Sequence, residues 1–172
     1  MPSSNFIRWC GLAAIVGGVA WTLATILPLV GPPGDWTGRT SLLFIIAVLL
    51  IVVGLVRLHD LQKGSYGYLG QSGLWTVIVG SSALMLGLMV YLLSGSRELL
   101  WLVYPVGYLV QTVGFVVYGT ATLLARVLPR WCGLGLIFGP PVEFIWELYG
   151  GILFGVLWVA LGYMLWTRKD AG

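Results

Sequence analysis

Charge is what this sequence most lacks. Nine Lys and Arg with six Asp and Glu make up 9% of its 172 residues, where a soluble domain carries roughly 25%. That is too little to cover a water-facing surface. Two cysteines are too few to staple a small secreted domain. A hydrophobic content of 59% excludes disorder. Histidine occurs once, at His59, and neither a second histidine nor a cysteine cluster accompanies it and Asp60 to complete a metal shell. A hydrolytic triad would have to use that same His59, without a nucleophile-elbow motif. Gly64, Gly67, Gly70 and Gly73 stand beside Lys63, but the Gly-Lys-Ser/Thr order of a phosphate-binding loop is missing, so they read as a flexible turn. Basic residues come singly or in pairs, leaving no patch to follow a phosphate backbone. The expectation is therefore no catalytic residue, no metal, no cofactor and no nucleic-acid partner, which weighs against an enzyme.

What is present is apolar length. Five blocks stand out at residues 7–30, 41–58, 74–94, 101–127 and 131–166. Each is read as helical, because a lipid-exposed backbone must satisfy its own hydrogen bonds. The last holds 36 residues, too many for one crossing, and Pro140-Pro141 and Tyr149-Gly150-Gly151 interrupt it. Charge placement resolves that block. Arg8, Arg57, Lys63, Arg126, Arg130, Arg168 and Lys169 fall at the two termini and in alternate loops, against only Arg39 and Arg97 in the others. The positive-inside rule then puts both termini in the cytoplasm and requires an even number of crossings after Arg130. The reading is an all-α integral membrane protein, one transmembrane domain over residues 1–172. It is a six-helix bundle with spans near 7–30, 41–58, 74–94, 101–127, 131–146 and 151–167. Its last hairpin is short, with a Pro-Pro break. The first span reads as uncleaved, since no small-x-small site precedes Gly31.

Two internal patterns accompany the spans. Arg8-Trp9-Cys10-Gly11-Leu12 recurs as Arg130-Trp131-Cys132-Gly133-Leu134, with Ile15 and Gly17 matching Ile137 and Gly139. A looser echo runs from Tyr68-Leu69-Gly70 to Gly73-Leu74-Trp75. Three tandem helical hairpins would explain this, and so would the common use of Arg, Trp and Gly where helices meet the membrane surface. Small residues also recur seven apart: Gly73, Gly80 and Gly87 in the third span, Gly107, Gly114 and Ala121 in the fourth. Such spacing keeps them on one face, where backbones can approach closely. Gly80, Gly87, Gly107 and Gly114 are thus the candidate packing residues.

His59-Asp60-Leu61, Tyr66-Gly67, the Leu128-Pro129-Arg130-Trp131 corner and the Leu161-Gly162-Tyr163-Met164-Leu165-Trp166 ending resemble a group of small bacterial multi-span membrane proteins of unassigned function. The resemblance covers most of the chain. It implies a bacterial cytoplasmic membrane and no particular reaction. Tryptophan-rich sensory/translocator proteins are of similar size, but their aromatic-and-proline motif has no counterpart in Gly31-Pro32-Pro33-Gly34-Asp35-Trp36.

Few polar residues could carry chemistry. Glu143 and Glu147, four apart after Pro140-Pro141, would share one helical face. They could form a proton or cation site beside a broken helix. The blander expectation, favoured here, is that proline opens an outer helix, that the dipole favours Glu in its first turn, and that both carboxylates face water. Gln111 lies mid-span and must find hydrogen bonds, with Ser81-Ser82 as the nearest source. Cys10 and Cys132 read as small helix-opening residues. The favoured function is a non-catalytic accessory or scaffold subunit of a membrane complex. The alternative is a small transporter or hydrophobic-ligand or lipid-binding protein using Glu143, Glu147 and Gln111. The partners expected are the lipid bilayer and either another membrane protein or a second copy of the chain. Inward-facing carboxylates within reach of Gln111 or Tyr104 would favour the alternative, and carboxylates pointing to bulk water would count against it.

Overall fold

The computed structural model describes residues 4–30 and 38–167, apart from the side chains of residues 4–7, Val30, Arg97, Leu99 and Glu147. Six helices follow one another: α1 (Ser4–Val30), α2 (Gly38–Gln62), α3 (Gly67–Ser94), α4 (Arg97–Ala125), α5 (Arg130–Ile145) and α6 (Glu147–Thr167). There is no strand among the described residues. The chain is an all-α membrane protein. Five helices are long and apolar enough to cross a bilayer. The exception, α5, has 16 residues, about 24 Å at 1.5 Å per residue, against a hydrocarbon core of about 30 Å.

The helices run further than the apolar blocks, because the turns need very little chain. Gly95, in the left-handed region at φ 66°, caps α3 by donating its N–H to the Tyr91 carbonyl at 2.8 Å. Arg126 takes a left-handed φ of 54° and ends α4 at the Leu-Pro-Arg-Trp corner, where Leu128 is buried. Gly67, Gly70 and Gly73 lie within α3 and not in a flexible turn; the connection from α2 is only residues 63–66. Pro140 and Pro141 are inside α5, and Gly150 and Gly151 are inside α6. The chain turns instead at Trp146, whose φ and ψ of −128° and 72° are not helical.

Each helix packs antiparallel on the next, and α6 returns to α1, so the six close into a ring of three consecutive hairpins. Large side chains fill the middle. Trp21, Phe44, Phe115, Phe154 and Trp158 are all buried and meet largely edge to face. Val16, Leu23 and Leu27 on α1, and Leu42, Ile46, Leu49 and Val53 on α2, point outward. Such faces would aggregate in water and are well solvated by acyl chains.

Glycines line the tightest seams. On α3 and α4, a Cβ at Gly114 would stand 2.5 Å from the Val77 nitrogen, and one at Gly107 would stand 2.9 Å from the Leu84 nitrogen. At Gly80 it would run into the backbone of Gln111. Gly87 is looser, 3.4 Å from Val103 Cγ1. The α1–α6 seam is equally close: a Cβ at Gly18 would meet the Gly155 carbonyl at 2.5 Å.

Candidate functional site

Glu143 lies in the last turn of α5 and is buried, with 8% of its surface exposed. This overturns the expectation of a carboxylate facing water in the first turn of an outer helix. The proline pair does not open that helix, so Glu143 sits at a C-terminal end, where the helix dipole offers a carboxylate no help. Nor do Glu143 and Glu147 share a helical face: Trp146 separates them, and Glu147 begins α6. The side chain of Glu147 lies outside the described residues, as does Asp35. Glu98 is exposed in the first turn of α4.

The local sequence explains why Glu143 is enclosed. Gly150 has no side chain, and a Cβ there would strike the Glu143 backbone, so α5 rests directly on α6. The adjacent Gly151 meets Thr25 of α1, where a Cβ would be 2.7 Å from Thr25 Oγ1. These two glycines thin α6 between its neighbours, and a long side chain on α1 can then reach α5. Trp21 does so: its Nε1–H donates to Glu143 Oε1 at 3.0 Å. The indole is held edge-on by Phe44 at 4.6 Å and by Phe154 at 5.1 Å between ring centroids. On the other side of α5, Tyr108 Oη donates to the Pro140 carbonyl at 3.1 Å, and its ring stacks on Phe144. The arrangement encloses an acidic group among aromatic rings, with the Trp21 indole N–H donating to it.

Gln111 is also buried and donates from Nε2 to Ser81 Oγ at 2.9 Å, the nearest partner available from the sequence. This pair bridges α3 and α4 beside Gly80.

A third polar group lies at the end of the bundle that carries Arg8, Lys63, Arg126 and Arg130, here the basic end. Tyr66, in the α2–α3 connection, hydrogen-bonds His59 Nδ1 and donates to the His59 carbonyl at 3.2 Å. Its ring packs edge to face on Tyr118. Gln62 is fully buried and donates to the Leu58 carbonyl at 3.1 Å and to Tyr118 Oη at 3.5 Å. Burial pushes the Tyr66 hydroxyl above its ordinary value; the Tyr118 hydrogen bond opposes this and Asp60 adds to it. Cys10 and Cys132 are both buried and not joined in a disulfide.

Sequence reasoning did not identify Trp21, Gln62, Tyr66 or Tyr118. The available signal was polar atoms on residues deep in apolar helices, each of which must find a partner. No group of three or more His, Cys, Asp or Glu among the described residues could hold a metal ion. Compared with family models, curated proteins and solved structures, the chain matches none.

Proposed function

We propose that this is a small transporter of a bacterial cytoplasmic membrane, with both termini in the cytoplasm and Glu143 as its proton-carrying group. The observation that supports this is the burial of Glu143 and its hydrogen bond to Trp21 across the ring. An ionisable side chain inside a membrane bundle is expensive to keep, and such groups mark substrate, ion and proton routes. The basic end collects Arg8, Lys63, Arg126 and Arg130, which supports placing it in the cytoplasm. Gly64→Cys, at that end, should then resist an impermeant thiol reagent added outside cells. Tyr149→Cys, exposed at the opposite end, should react.

The test of function is proton movement. In vesicles with an internal pH-sensitive dye and an imposed pH gradient, the wild-type protein should speed collapse of the gradient. Glu143→Gln should return it to the rate of empty vesicles while melting at the same temperature. Equal rates for wild type and Glu143→Gln would overturn the reading.

A second reading, an accessory subunit of a membrane complex, is favoured by the interior itself, which aromatic side chains fill from α1, α2, α4 and α6. Gentle detergent extraction separates the two. A stoichiometric co-purifying protein supports the accessory subunit, and a stable isolated chain that dissipates the gradient supports the transporter.

A further inference from the structure

The two Arg-Trp-Cys-Gly-Leu stretches that open α1 and α5 lie 122 residues apart. So do Trp21 and Glu143, the residues hydrogen-bonded across the ring. The agreement extends to the packing. A Cβ at Gly162 of α6 would stand 2.6 Å from the Gly11 carbonyl oxygen, 2.7 Å from the Ile15 nitrogen and 2.8 Å from Ile15 Cγ1. A Cβ at Gly119 of α4 would stand 2.8 Å from the Gly133 carbonyl oxygen, 2.8 Å from Ile137 Cγ1 and 3.0 Å from the Ile137 nitrogen. Gly133 and Ile137 are Gly11 and Ile15 shifted by the same 122 residues. In both cases the facing glycine belongs to the helix that precedes the repeat in the ring. Gly17 turns the other way, to Ala47 and Ile51 of α2, and its counterpart Gly139 turns to Phe154 and Leu157 of α6, each on its own hairpin partner.

Burial follows the same offset. Cys10 and Cys132, Ala14 and Leu136, and Gly18 and Pro140 are buried pairs, while Trp9 and Trp131, and Val16 and Phe138, are exposed pairs. Helical periodicity alone would keep two helices in phase. It would not give each the same backbone atoms against a glycine of its preceding neighbour.

We infer that α1–α2 and α5–α6 are two copies of one hairpin, that Trp21 and Glu143 are the same position in it, and that they form a proton-binding site where the copies meet. The proton-binding part rests on the function proposed above. Both copies start at the basic end, so the repeat is parallel, and in parallel-repeat membrane proteins the working site lies between the repeats. The copies diverged into a donor and an acid. An indole N–H can only donate, so Trp21 fixes Glu143 Oε1 as acceptor and confines the exchangeable proton to Oε2. Trp21 is therefore a positioning residue. The third hairpin is out of step: the space at Gly70 is taken by the Tyr66 ring, and Gly80 abuts Gln111 of its own partner α4.

The test exchanges the two residues. Trp21→Glu combined with Glu143→Trp should rebuild the hydrogen bond in mirror order and regain most of the melting temperature that either single substitution loses. An exchange no more stable than the worse single variant overturns the shared position. As a check that does not depend on the exchange folding, Gly162→Ala and Gly119→Ala should both lower the melting temperature. A loss at only one of them also overturns it. The proton site is read with dicyclohexylcarbodiimide, which partitions into membranes. A carboxylic acid adds its O–H across one C=N bond, oxygen to carbon and proton to nitrogen, and the adduct is retained. Membranes of the wild type should carry one adduct at Glu143, less as pH rises, and the exchanged protein should carry it at position 21. An unlabelled Glu143 overturns the proton site and the transporter reading with it. A labelled Glu143 in a chain whose exchange fails overturns only the duplicated position.

Discussion

Two buried polar pairs lie at nearly the same depth and are built in opposite ways. Trp21 is thirteen residues beyond Arg8, Glu143 is thirteen beyond Arg130, and Gln111 is fourteen before Ala125, which places all of them about 20 Å from the basic end. Gln111 and Ser81 belong to adjacent helices of one hairpin, on a seam that glycines have already closed. Their hydrogen bond is neutral and local, and forms whenever α3 meets α4. Trp21 and Glu143 belong to helices with α6 between them, and their bond needs three helices in place. One partner is ionisable. The first pair is interhelical glue; the second ties the first and last hairpins together through a group that can change its charge.

The largest effects should come from the glycines behind each pair. Gly80→Leu forces a side chain into the Gln111 backbone and should cost about 3 kcal/mol or more, read as thermal stability in detergent. Carbodiimide labelling of Glu143 should survive in whatever fraction stays folded. Gly150→Ala should destabilise as well, and in addition move α5 off α6 and separate Trp21 from Glu143, seen as altered indole fluorescence. Gly64→Ala, with nothing within 4 Å, should stay within about 0.5 kcal/mol of wild type. If Gly80→Leu and Gly150→Ala perturbed the indole equally, the two pairs would not be independent.

Removing the polar groups themselves should do less. Glu143→Leu leaves the Trp21 N–H buried without its acceptor and should cost about 1–3 kcal/mol. Glu143→Gln keeps an acceptor oxygen and should be nearly neutral in stability while abolishing the pH response of the Trp21–Glu143 pair. Gln111→Leu loses a single interhelical hydrogen bond, worth about 0.6 kcal/mol on average and ~1.7 at most in membrane bundles. Its effect should be the same at every pH. A pH-dependent Gln111→Leu effect would show that the two pairs are coupled.

The architecture was legible in the sequence because a bilayer leaves few choices. Apolar length marked five blocks, and the basic residues required the long final one to turn back as two helices, which it does at Trp146. The helix ends were less legible, since Gly95 and Arg126 turn the chain in two to four residues using left-handed backbone that composition does not reveal. The site was half visible. Gln111 could be paired with Ser81 because both are rare polar residues at matching depth on neighbouring spans. Glu143 was misread as exposed because two prolines normally mark a helix start. What encloses it is a pair of glycines on α6 and an indole on α1, far apart in the chain and brought together only by closure of the ring.

The polar group at the basic end is set apart from both mid-depth pairs by its pH range. Tyr66 donates to His59 only while its hydroxyl is neutral, and burial raises its ionisation above the ordinary value of 10.0. A group whose proton is held more tightly in the folded state gives stability that is fully present below its unfolded value. That stability is lost as pH climbs through the folded one. The wild type should therefore hold its melting temperature up to about pH 10 and decline above it, by at most about 1.4 kcal/mol per pH unit from this residue. Tyr66→Phe should be about 1 kcal/mol less stable near neutrality for the lost hydrogen bond, with a shallower decline above pH 10. The exposed Lys63–Asp60 pair at 3.2 Å should contribute little to stability. The quantity to measure is the difference between the two melting curves across that range, since other tyrosines and lysines add the same background to both. Parallel curves above pH 10 would mean that the Tyr66 hydroxyl does not hold the α2–α3 turn to His59.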